Sequence, residues 1–233
     1  MRKVVVFVEG QAEQIFVREL LLRYYDYNNV CIRCYQLVAE QTLSAEYDFG
    51  DESSDNLYQI INVGGDNKVL SAMIVRSQRM LDSGFNLVIG LRDMYSKVYR
   101  EESPGEVSLD LNIEFVESAK HAINQHYTDD RVQIHFAVME IETWMLALIE
   151  CWKRDITDEK IEEYIYPNCN LEKIYHPTEV MKAITSSTGD AYDKHSRQVN
   201  AIVANITKDD YLNLFASNQC PSFNEFIKDL LGI

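Results

Sequence analysis

Val4 to Val8 form an unbroken apolar run, and a short run of this kind bounded by polar residues reads as a strand buried on both faces. QAEQIFVRELLLRYY follows, with Phe16, Val17, Leu20, Leu21 and Tyr24 at the i, i+3, i+4 spacing of a helix face. Glu13 continues that stripe one turn back, so it is predicted to point toward the sheet, near the edge where Glu9 leaves its strand. β-Branched and aromatic residues predict a second strand from about Val30 to Ala39, and the acidic EQTLSAEYDFGDESSDN reads as an exposed excursion. LYQIINV reads as a strand, GGDNK as a turn, and KVLSAMIVRSQRMLD as a helix burying Leu70, Met73, Ile74 and Leu81. FNLVIGL is a further strand, ending at Arg92 and Asp93. MYSKVYREESPGEVSL is loop-like, with Pro104 and Gly105 as breakers. LNIEFVESAKHAINQHY resumes helical spacing, RVQIHFAVM is a strand ending at Glu140, Ile141 and Glu142, and TWMLALIECWKR runs on as a helix.

Strands alternating with helices predict an α/β fold with a mostly parallel sheet flanked by helices, over residues 1–154. From about Asp155 the pattern changes to shorter helices, in EKIEEYIY, TEVMKAITSS, RQVNAIVANI and FNEFIKDLLG, with start signals at Thr157 and at Pro177 and Thr178. Residues 155–233 are therefore expected to be a helical C-terminal region packed on the core. There is no internal repeat.

A hydrophobic content of 46% is that of a globular chain with one sizeable core. No apolar run reaches the length of a membrane span, and MRKVVVFVEG lacks the features of a signal peptide, so a cytoplasmic protein without a membrane partner is expected. Five cysteines argue for reduced thiols rather than a disulfide framework. Cys31 and Cys34 lie three apart on a strand and so face opposite sides, which suits neither one zinc ion nor a disulfide. The five histidines have no zinc-ligand spacing, and His135 reads as a core or sheet-face residue. GGDNK lacks the phosphate-loop pattern. A formal net charge of -15 argues against unaided nucleic-acid binding, since phosphate neutralisation supplies most non-specific affinity.

Three predicted strands end in acids: Val8 at Glu9, Leu91 at Asp93, and Met139 at Glu140 and Glu142. Ligands of open α/β sheets bind outside the carboxyl ends of the strands. If these strands are parallel neighbours, the acids gather at one edge and repel one another unless a cation offsets them. Mg²⁺, which takes oxygen ligands and assists phosphoryl transfer, suits such a cluster. The plainer alternative is acids solvated at strand ends or complementing helix dipoles.

VEGQAEQIFVRELL, IGLRDMYSKVY, FAVMEIETWMLA, GDAYDKHSRQVNAIVANI and CPSFNEFIKDLL, in this order, resemble the bacterial "domain of unknown function" family numbered 4276. That family looks Toprim-like, sharing motifs with topoisomerases, bacterial primases and nucleases of the overcoming-lysogeny-defect type. The resemblance implies Glu9 as general acid/base or metal-linked, Glu13 as the second acid of the opening ExxxE, and Asp93 as the first acid of a DxD-like motif. Where a second aspartate would stand, the chain has Tyr95. Either Glu140 and Glu142 complete the metal site, or catalytic competence is weakened. Tyr192 and Lys194 match a further block; Lys194 is expected either to contact a phosphate and help offset the acids, with Tyr192 as a stacking or hydrogen-bonding neighbour, or to be an ordinary surface lysine, and Arg92 has the same two readings. The implied function is Mg²⁺- or Mn²⁺-dependent hydrolysis of DNA or RNA phosphodiesters, as a nuclease effector in phage defence with an ABC-type ATPase partner. The alternative is a non-catalytic regulatory or scaffold subunit of such an ATPase. A homo-oligomer is compatible with either.

Overall fold

The computed structural model describes residues 1–39, 41–65, 68–152, 158–165, 170–186, 189 and 191–233. It is a mixed α/β structure built on a six-stranded sheet. The strands are β1 (Arg2–Val8), β2 (Val30–Val38), β3 (Gln41–Ser44), β4 (Asn56–Asn62), β5 (Leu87–Asp93) and β6 (Val132–Ala137), in the order β3-β2-β4-β1-β5-β6. β1 pairs parallel with β4 and β5, and β2 pairs parallel with β4. The apolar run Val4 to Val8 thus occupies an interior strand with no exposed surface. Strand neighbours on both sides and cover on both faces explain why its residues do not alternate in polarity.

The chain divides into two compact units, one of residues 1–92 and 113–136, the other of residues 93–112 and 137–233. It passes between them at Arg92–Asp93, at Asn112–Ile113 and at Phe136–Ala137. In the first unit, α1 (Gln11–Tyr24) buries Phe16, Val17, Leu20 and Leu21 of the predicted face, while Tyr24 at its end is half-buried. The Gln14 amide, also buried, donates to the carbonyls of Tyr35 and Ile60, which satisfies it against the sheet. α2 (Lys68–Asp82) has the predicted bounds, but its buried side is Val69, Ala72, Met73 and Ser77. Leu70, Ile74 and Leu81 are half-buried, so the helix is rotated by about one residue from the predicted face. Gly90 in β5 explains the close approach of this helix: a Cβ there would collide with Met73 Sδ and lie 3.1 Å from Val69 Cγ1.

Two short elements interrupt segments that read as loops. β3 adds an antiparallel, fully exposed edge to β2 inside the acidic excursion. α3 (Lys97–Glu102) starts where the Ser96 hydroxyl accepts from the Tyr99 N–H. It is followed by α4 (Leu109–Asn124). Cys31 and Cys34 are free and buried.

In the second unit, the predicted helix after Glu142 is broken at Leu148 into α5 (Glu142–Ala147) and α6 (Ile149–Trp152). Trp144 has no exposed surface; it stacks on Phe226 at 5.4 Å, meets Phe223 edge-on at 5.4 Å, and donates to Ser222 Oγ. The remaining helices are α7 (Asp158–Tyr164), α8 (Pro177–Thr185), α9 (Ser196–Val203), α10 (Lys208–Ser217) and α11 (Pro221–Leu231). Thr157, expected to cap α7, lies outside the described residues. α10, which the periodicity did not predict, opens on a capping box of Thr207 and Asp210. No described helix is long and apolar enough to cross a membrane.

Glu172 closes this part of the unit. Its carboxylate accepts the Ser222 N–H at the start of α11 at 2.7 Å, and the side chain is almost fully buried. Burial raises its pKa, while the hydrogen bonds from Ser222 lower it and Glu225 raises it further. A carboxyl whose folded pKa is raised contributes stability below its unfolded pKa, and that contribution is lost as pH rises through the folded value. Thermal unfolding of Glu172→Gln and the wild type from about pH 4 to about pH 7 is expected to show the variant gaining on the wild type as pH rises. A constant gap would contradict this. Gly90→Ala is expected to cost about 1–3 kcal/mol in denaturant unfolding. Met73→Ala should relieve part of that cost, so the double variant should fall short of additivity.

Candidate metal centre

Three of the acids predicted at strand ends come together. Asp93, the last residue of β5, and Glu140 and Glu142, which flank Ile141 after β6, each offer an oxygen, and these oxygens lie within 4.8 Å of one another. All three side chains are buried, Glu142 completely. The turn that presents them is set by backbone contacts. Met94 N–H donates to Ala137 O and Tyr95 N–H to Met139 O, which holds the segment after Asp93 against the segment after β6. Asp93 Oδ1 accepts the Ile141 N–H at 2.8 Å, tying Asp93 to the residue between the other two acids in sequence. Thr143 Oγ1 donates to Val138 O across the turn. Between these contacts Met139 adopts a left-handed backbone with φ 64°. Such a conformation costs a non-glycine residue about 1–2 kcal/mol and persists where surrounding contacts impose it.

The second unit also supplies the groups that meet the acids. Glu140 Oε2 accepts the Thr178 N–H in the first turn of α8, where the helix dipole favours a negative charge. Glu140 Oε1 accepts from Lys194 Nζ at 3.0 Å. Glu142 Oε1 accepts the Tyr192 hydroxyl at 2.8 Å. Glu142 Oε2 is buried without a hydrogen-bond partner, although Lys194 Nζ stands 3.1 Å away as an ion pair. Burial opposes the charge on Lys194, but Glu142, Asp93 and Glu140 together outweigh it and hold its pKa well above the ordinary lysine value. The ammonium therefore stays protonated among the acids.

Glu9 and Glu13 belong to the first unit. Glu9 follows β1 and its carbonyl accepts the Gly65 N–H. Glu13 is buried in the first turn of α1, with Oε2 3.1 Å from where a Cβ on Gly10 would sit. Its carboxylate thus folds back over a helix start whose residue Gly10 offers no side-chain cap. Arg92 also lies in the first unit, its guanidinium 5.3 Å from the centroid of the Phe136 ring.

Tyr95 stands in an aromatic group. Its ring meets Tyr175 at 5.6 Å and His176 at 5.1 Å, both edge-on, and the Arg100 guanidinium lies 5.5 Å from its centroid. Burial is the main cause that raises its pKa. Two contacts on the acids had no sequence signal, the N–H groups of Ile141 and Thr178, because backbone donors are not encoded by residue type.

A family model described as "Domain of unknown function (DUF4276)" matches residues 8–231. The chain belongs to this family. No curated protein matches the DUF4276 chain in sequence. Two solved structures of the C-terminal region of the Xanthomonas campestris pv. campestris OLD protein, phased with mercury and with iodine, are similar to it. Each is 12% identical, covers 96% of this chain and 95% of its own, and has a TM-score of 0.38.

The donor set suits a hard divalent cation: carboxylate oxygens from three side chains, one of them a buried oxygen lacking a hydrogen bond. Tyr192→Phe is expected to leave Glu142 Oε1 without its donor and to lower stability by about 1–3 kcal/mol in denaturant unfolding. An unchanged midpoint would show that this hydroxyl does not support Glu142.

Proposed function

We propose that this chain is a Toprim-like, Mg²⁺- or Mn²⁺-dependent phosphodiesterase acting on DNA or RNA. The observation that carries the reading is the convergence of Asp93, Glu140 and Glu142, buried and within 4.8 Å, with a Glu142 oxygen that makes an ion pair to Lys194 but no hydrogen bond. Like charges so close and so shielded from water repel strongly unless a cation joins them. A divalent ion there would supply an acidified water and charge stabilisation on a phosphoryl oxygen.

The side chains divide the remaining work. Asp93 is oriented by the Ile141 N–H and Glu142 by the Tyr192 hydroxyl, so both present oxygens from fixed rotamers. Glu140 is braced by the start of α8. Glu9 is assigned to general acid/base work and Glu13, buried in the first turn of α1, to its support, from the family resemblance. Arg92 and Lys194 are candidates for phosphate contact. With a net charge of -15, binding of nucleic acid calls for help from the metal or from a partner, and an ABC-type ATPase in a phage-defence setting fits that need.

One observation favours a second reading, a regulatory subunit with a structural acidic cluster. Lys194, Tyr192 and the Thr178 N–H already satisfy much of the triad without a metal. Cleavage of plasmid DNA and of RNA with added Mn²⁺ or Mg²⁺ separates the two. The nuclease reading expects metal-dependent cleavage that falls by about 100-fold or more in Glu9→Gln and in Asp93→Asn. Metal binding without cleavage, with and without an ATPase partner, would establish the regulatory reading instead.

A further inference from the structure

We propose that Lys194 takes the place of a second metal ion, so that the triad holds one divalent cation and not two. The inference rests on the metal-binding reading above and adds its stoichiometry. Asp93, Glu140 and Glu142 bring three carboxylates, and Lys194 brings one ammonium, 3.0 Å from Glu140 Oε1 and 3.1 Å from Glu142 Oε2. It bridges two acids from different positions of the turn, which is the role a second ion plays where two metals share carboxylates. The charge left over is that of two carboxylates, and a single divalent ion cancels it. A second such ion would leave the buried cluster with an excess of positive charge, which is costly away from water.

Lys194 is built into this position and does not reach it as a roaming surface side chain. Its backbone is left-handed, with φ 54°. The segment before it is tied on three sides: Tyr192 N–H donates to Thr185 Oγ1, Asp193 N–H to Gln198 Oε1, and Gln198 Nε2 to Ala191 O. Tyr192, two residues away, bonds the same Glu142.

Titration calorimetry of Mn²⁺ into the full chain tests this, comparing wild type, Lys194→Met and Lys194→Arg, with Asp93→Asn to identify the triad site. The wild type is expected to bind one ion per chain, lost in Asp93→Asn. Lys194→Met is expected to take up a second ion or to bind the first about tenfold more tightly, because a like charge has been removed. Lys194→Arg should keep the wild-type stoichiometry. If Lys194→Met is too unstable without metal, its thermal midpoint in Mn²⁺ should rise by more than that of the wild type. Two ions bound by the wild type and lost in Asp93→Asn would overturn the proposal, as would equal stoichiometry, affinity and thermal shift in Lys194→Met and wild type. If no variant binds metal, the metal reading itself falls. Metal binding by wild type with no change in Lys194→Met removes only the role given to Lys194.

Discussion

Three carboxylates packed within 4.8 Å and removed from water set the terms for the second unit. Left alone they would repel one another. The groups around them all act to offset that repulsion: the Lys194 ammonium, the Tyr192 hydroxyl, and two N–H groups, one from the turn itself and one from the start of α8. Proteins do not commonly build so many donors around buried acids for stability, since apolar packing serves as well or better. Neutralisation that stops short of the full negative charge, with one buried oxygen lacking a hydrogen bond, is the arrangement expected where an external cation completes the set.

Two of the left-handed residues fit the same logic. Met139 and Lys194 are side-chain-bearing residues in a backbone region that favours glycine, and each lies beside the cluster. At Met139 the conformation turns the chain so that Glu140 and Glu142, two apart, approach Asp93 together. At Lys194 it follows directly on the bonded segment that delivers the ammonium. Local strain at these two points is offset by the network it makes possible.

Much of this was legible in the sequence, for identifiable reasons. Unbroken apolar runs mark β1 and β5 because parallel interior strands are covered on both faces, and the acids that end such runs must emerge at one edge of the sheet. That is how Asp93, Glu140 and Glu142 could be singled out before any coordinates. The family blocks added Tyr192 and Lys194, whose distance of about 50 residues from Glu142 no periodicity could bridge. The misses are equally physical. β3 is an exposed edge whose residues carry no buried pattern, and α3 begins inside a segment dominated by Pro104 and Gly105, where the Ser96 cap was the available signal. The rotation of α2 comes from tertiary packing, with Val69 and Met73 seated where Gly90 leaves room. Backbone donors to the acids have no residue signature at all.

The central claim, that Asp93, Glu140 and Glu142 form a metal site, is tested most directly by a crystal of the protein grown with Mn²⁺ and measured at the manganese absorption edge. The account predicts one anomalous peak coordinated by oxygens of these three side chains. No peak there at saturating Mn²⁺, with the carboxylates still closed around Lys194, would contradict it and leave the cluster a structural ion-pair network.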